Sequence, residues 1–143
     1  MRSVTDRLDA LNPHLTATAL ALMRAAAGLA MLLLPAVSWR VLGGRSPGAE
    51  TRTAVRIAGG RDLALGIGAL TAADDVELAR WVRAGALADA GDGVAQLSAH
   101  DSRGLARLRS LCISGGAAVV GFAAARRLSA FMAIATRWPQ PGL

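Results

Sequence analysis

The stretch "RIAGGRDLALGIGAL", residues 56–70, decides the fold. Its second half suits hydrocarbon, yet its first half carries Arg61 and Asp62 side by side. A charge at the centre of a bilayer costs from about 3 to more than 10 kcal/mol, so neither group can face lipid unpaired. Successive residues on a helix point about 100° apart. The two charges are therefore expected to serve different neighbouring helices, inside a bundle.

The partners come from three more apolar segments approaching the roughly 20 residues that a bilayer requires. The four segments cover about 17–34, 54–73, 81–99 and 110–125, the first ended by Pro35. Between them lie "GGRSPGAETR", "DDVEL" and "HDSRG", short links with turn and charge signals. Short links imply antiparallel neighbours. The expectation is one all-α membrane domain over 1–143, an up-down-up-down four-helix transmembrane bundle. After the fourth segment, "RRLSAFMAIATRWPQPGL" leaves two alternatives. Either the helix continues past Arg126 and Arg127, or those residues snorkel while Leu128 to Trp138 lies along the interface.

Composition agrees with membrane residence. Of 143 residues, 53% are hydrophobic and 18% charged, with mean hydropathy +0.40, whereas soluble domains are about a quarter charged. The expected location is the cell inner membrane, crossed several times. The net charge of +6 comes entirely from Arg against Asp and Glu. Those Arg residues are scattered between apolar segments rather than clustered on a face, which excludes nucleic-acid binding as a function class. Anionic lipids are the expected counter-charge, each juxtamembrane Arg contributing about 1 kcal/mol. Seven Arg flank the segments on each side, so the positive-inside rule sets no orientation. Trp39, Trp81 and Trp138 sit near segment ends, which favours interfacial anchoring over core packing. A cleaved signal peptide fits the first segment poorly, because the apolar run starts late and contains Arg24. Cys112 has no partner for a disulfide or a zinc site and reads as a small apolar residue. An Ala-rich soluble bundle is the competing architecture, kept open by the charges within the second and third segments.

Those charges follow helical spacing. In the third segment Gly85, Asp89, Asp92, Gly93 and Gln96 share a face that His100 extends, opposite Val82, Ala86, Leu87, Ala90, Val94 and Leu97. In the second, Ala58, Asp62, Gly66 and Ala69 form a face of small residues around one carboxylate. The expected intramembrane polar network is Arg24, Arg56, Arg61, Asp62, Arg83, Asp89, Asp92 and Gln96. Gly59, Gly66, Gly85, Gly93, Ala117 and Gly121 are expected to let helix backbones approach closely. Such a network either fixes helix register or leaves one carboxylate for function, and Asp92 is the choice because like charges a turn apart raise one pKa. Asp89, Asp92, Gln96 and His100 could chelate a hard cation, but no second ligand cluster accompanies them, so no metal or cofactor is expected. The chain has no P-loop and no HExxH. A non-catalytic accessory or scaffolding subunit is the first expectation, packing against itself or other membrane subunits. The rival is a small carrier or ligand-binding protein built on the Arg/Asp site, coupled to protons at Asp92.

With "MRAAAGLAMLLLP" (23–35), "LGG" (42–44) and "RIAGGRDLALGIG" (56–68) in view, the chain resembles small four-helix membrane proteins of unknown function from high-GC bacteria. Their pattern has an Arg in the first helix, Arg-x-x-Gly-x-Arg-Asp in the second and Asp in the third. Arg24, then Arg56, Gly59, Arg61 and Asp62, then Asp89 and Asp92 would occupy those positions over about 17–125. The resemblance implies a fold and a location but no activity. In size and helix count alone the chain is also similar to the DoxX-like group.

Overall fold

The computed structural model describes residues 13–98 and 105–135, and among them the chain is all-helical with no strand. The helices are α1 (Pro13–Leu33), α2 (Pro35–Val41), α3 (Ala49–Leu70), α4 (Asp75–Ser98) and α5 (Leu105–Ala135). His100 and Trp138 lie outside the described residues.

Local chemistry sets the breaks. Pro35 disfavours helical backbone at the residue before it, and Leu34 leaves the helix at φ −126°, ψ 53°. Proline is nonetheless well suited to a helix's first turn, so Pro35 opens the short α2 instead of a loop. That extra helix corrects the expectation of a plain connector. Gly43, at φ 90°, takes the left-handed conformation that follows α2. Before α4 the Glu77 amide donates to Asp74 Oδ1 at 2.8 Å, and Glu77 Oε2 accepts from the Ala73 amide at 2.8 Å. These reciprocal bonds satisfy amides that the first helical turn leaves open. At the other end of the chain, α5 runs through Arg126 and Arg127 to Ala135, with Leu128 fully buried. The helix therefore continues, and no separate surface segment starts at Leu128.

Two helix pairs make most of the packing, α1 with α3 and α4 with α5. In the first, Ala25 lies against Gly66, Gly28 against Gly59, and the Leu32 carbonyl accepts from Arg56 Nε at 3.3 Å, an antiparallel register. A Cβ on Gly59 would sit 2.7 Å from Met31 Cβ and 2.8 Å from the Gly28 carbonyl oxygen, so only glycine permits this approach. In the second pair Gly121 meets Ala86, and Arg83 Nη2 donates to Ser129 Oγ at 3.1 Å. The pairs join where α3 meets α4 and α1 meets α5. Ala17, Ala21, Ala69, Leu78, Ala79, Val82, Ala124, Ala125 and Leu128 fill the centre.

Three sequence expectations change. Trp81 packs against this core, over Gly68, where an added Cβ would lie 2.6 Å from Trp81 Cε2. It is a packing residue, not a free interfacial anchor. Gly93 makes no helix seam, because a Cβ there would meet nothing within 4 Å. On α4 the buried face includes Val82 and Ala86 together with Gly85 and Asp89, while Leu87, Val94 and Leu97 are exposed.

Gly59→Val is expected to destabilise the fold by about 1–3 kcal/mol through forced separation of α1 and α3. Gly93→Ala, with open space around it, should stay within about 0.5 kcal/mol or gain slightly from helix propensity. Thermal unfolding of the purified variants in detergent measures both.

Candidate functional site

Five charged side chains near the middles of three helices form one continuous chain. Arg24 on α1 donates through Nη1 to Asp62 Oδ1 on α3 at 3.0 Å, and through Nη2 to Asp89 Oδ2 on α4. Arg61 Nε and Nη2 then donate to the same Asp62 oxygen at 3.2 and 3.1 Å. Finally Arg61 grips Asp92 on α4 with both terminal nitrogens, each 2.7 Å from a carboxylate oxygen. The order is Asp89–Arg24–Asp62–Arg61–Asp92. Bidentate guanidinium–carboxylate bonding of this kind is both strong and directional.

Exposure falls along the chain towards Asp89, which is 7% exposed. The side chains of Arg24 and Asp62 are 19% and 16% exposed, against 34% and 40% for Arg61 and Asp92. Asp89 thus forms the buried end and Asp92 the rim. Gly85 explains how a guanidinium fits between helices. A Cβ there would lie 3.0 Å from Arg24 Nε and 3.1 Å from Cζ. Gly85 seats a side chain, where the sequence had suggested a backbone seam.

Other expected members stand apart. Arg56 is exposed and bonds the Leu32 carbonyl, and Arg83 is exposed and bonds Ser129. Gln96 Nε2 donates to Ser114 Oγ at 3.2 Å on α5, while its buried Oε1 has no partner. Asp92 is not the spare carboxylate that a proton-coupled role would require, since Arg61 holds both its oxygens. Arg61 and Asp62 do reach different helices, but Arg61 also folds back onto Asp62.

The buried end of the chain floors a cavity of about 260 Å³ between α1, α3, α4 and α5. Arg24, Asp62 and Asp89 line it along with Leu65, Trp81, Ile113, Ala117 and other apolar residues. Ala117, expected at a helix seam, is therefore a wall of this cavity. Sequence spacing gave no sign of the cavity, nor of Gly28 as the partner of Gly59. One pattern is met only by its letters: Gly44-Arg45-Ser46-Pro47-Gly48 spells the GxSxG of hydrolases. A nucleophile elbow needs a strand before the serine and a helix after it. Here exposed Ser46 follows α2, with no strand among the described residues.

No family model, curated protein or solved structure matches the chain.

Arg24→Met is expected to destabilise by about 3–5 kcal/mol, because it strips Asp89 of its cation and Asp62 of one of two. Combining it with Asp89→Leu should recover most of that loss, since an apolar replacement of a whole buried pair is often close to neutral. Denaturation in detergent distinguishes the two, with exposed Arg83→Gln as the near-neutral reference.

Proposed function

We propose that the chain is a multi-pass protein of the inner membrane, its four long helices forming an up-down-up-down bundle, and that it serves as a non-catalytic accessory or scaffolding subunit. The observation that carries this is inverted polarity. Leu22, Met23, Ile57, Leu87, Val94 and Val119 are each at least 60% exposed, while the buried residues are mainly alanines and glycines, with Val55, Leu78, Val82, Leu128 and the charged Asp89 among them. Water-soluble domains bury large aliphatic groups and keep charges outside. Lipid removes that preference and favours small residues between helices.

Helix length supports the same conclusion. The long helices of 21, 22, 24 and 31 residues extend about 32–47 Å at about 1.5 Å per residue, enough for a hydrocarbon core about 30 Å thick. Among the described residues only α1 is apolar enough throughout to count as a candidate span. In α3 and α4 the average hydropathy is lowered in part by Arg61, Asp62, Asp89 and Asp92, which point at one another and at Arg24, and in part by exposed Arg52, Arg56, Arg80 and Arg83. An average over all faces of a helix undervalues the part of it whose charges are turned inward.

The accessory role is supported by the outer face of α5. Cys112, Gly116 and Ala123 are exposed at helical spacing, and a Cβ on Gly116 would meet nothing within 4 Å. With Val119, 70% exposed on the same stripe, this face offers a glycine gap beside an apolar knob, to which a second helix can pack. A different reading, a small ligand-binding protein, is favoured by the cavity floored with Arg24, Asp62 and Asp89.

Carbonate extraction should leave the protein in the membrane pellet; release into the supernatant would refute membrane residence. In membranes of the native host, a thiol cross-linker should join Cys112 to a second copy or to another subunit. Recovery of uncross-linked monomer alone counts against the accessory role.

A further inference from the structure

The charges on the cavity floor do not balance. Among the described residues, Asp62, Asp89 and Asp92 are met by Arg24 and Arg61 only. Arg56 and Arg83, the nearest other cations described on the same helices, are exposed and bonded to groups outside the chain of charges. Facing the cavity itself are Asp62 and Asp89 with Arg24 alone. In those pairings each carboxylate uses one oxygen, Asp62 Oδ1 and Asp89 Oδ2. A largely apolar site with a surplus negative charge favours a monocation, because an uncompensated buried charge is far more costly than a paired one. An anion would find both terminal nitrogens of Arg24 already engaged.

The walls say what kind of cation. Among the described residues no group of three or more His, Cys, Asp or Glu side chains is placed to hold a metal ion. The lining beyond the charges is apolar and includes Leu65, Val82 and Trp81, which suits a cation with an apolar body. A cavity of 260 Å³ has the volume of roughly nine waters at about 30 Å³ each. That suits an organic molecule with on the order of ten heavy atoms. We infer that the cavity binds a small organic monocation, an amine with an apolar body. Its ammonium is accepted by Asp62 and Asp89, and its body lies among Leu65, Val82 and Trp81 on one side of them. This assignment rests on the ligand-binding reading and names its ligand class.

Three probes with one shared apolar body test it: phenylbutylamine, phenylbutanol and phenylbutyrate, titrated into the full chain in detergent by calorimetry and by tryptophan fluorescence. The amine should bind saturably, at least about tenfold tighter than either of the others. Asp89→Asn should erase its preference over the alcohol. Ala117→Leu keeps every charge and fills the cavity, so it should weaken the amine by at least about tenfold even if the Asp89 variant does not fold. Equal binding of amine and alcohol overturns the charge assignment while leaving a ligand site, and so does tighter binding of the acid. Absence of saturable amine binding, or an Ala117→Leu protein that binds as before, overturns the site as well.

Discussion

The Arg24 guanidinium is the constraint on which the rest depends. One cation from α1 meets a carboxylate from α3 and another from α4, so three helices are tied at a single height. Its position is set twice. The glycine contacts between Gly28 and Gly59 and between Ala25 and Gly66 fix how far α1 slides along α3, and that slide brings Arg24 opposite Asp62. Gly85 independently clears the space through which the same side chain reaches Asp89. Steric and electrostatic preferences therefore choose one register, the agreement across levels that gives a chain a single native arrangement.

Such a pair is weak as a source of net stability and strong as a source of specificity. Bringing two charges out of water costs nearly what their attraction returns, but leaving either one alone is severely unfavourable. Slipping α1 by one helical turn would strand Asp89 and leave Asp62 to Arg61 alone. In the proposed bilayer, where apolar contact with lipid is as good as apolar contact with another helix, this penalty on wrong registers does work that hydrophobic burial does in water.

The charged residues were legible in the sequence for a simple reason: any ionised group inside an apolar segment needs a partner, so Arg24, Arg61, Asp62, Asp89 and Asp92 announce themselves by position. Their pairing was not legible. Spacing gives a residue's direction about its own helix axis but not the rotation of the neighbouring helix, and a long guanidinium can bend across the angle that separates it from the next residue. Arg61 does so, holding Asp62 and Asp92 together. Arg56 and Arg83 misled because they sit a few residues nearer the ends, where their stems carry the charge outward. Pro35 was read as a stop, although its fixed φ equally suits a helix start. Gly93 shows the limit of small-residue patterns, since a glycine on the right face still needs a helix in front of it.

The cavity follows from the same composition that makes the seams tight. Alanine and glycine let backbones come together where two faces of small residues meet, as at Gly28 and Gly59. Where one face must instead accommodate a guanidinium, the helices stand further apart, and small side chains cannot fill the added width. Ala21, Ala27, Ala69, Ala86, Ala117 and Gly121 all line the space around Arg24. A core of leucines would close such a gap, whereas this one leaves it open beside the most buried carboxylate of the chain. The void and the charge that would attract an occupant thus have one origin, the placing of a long cation among residues too small to surround it.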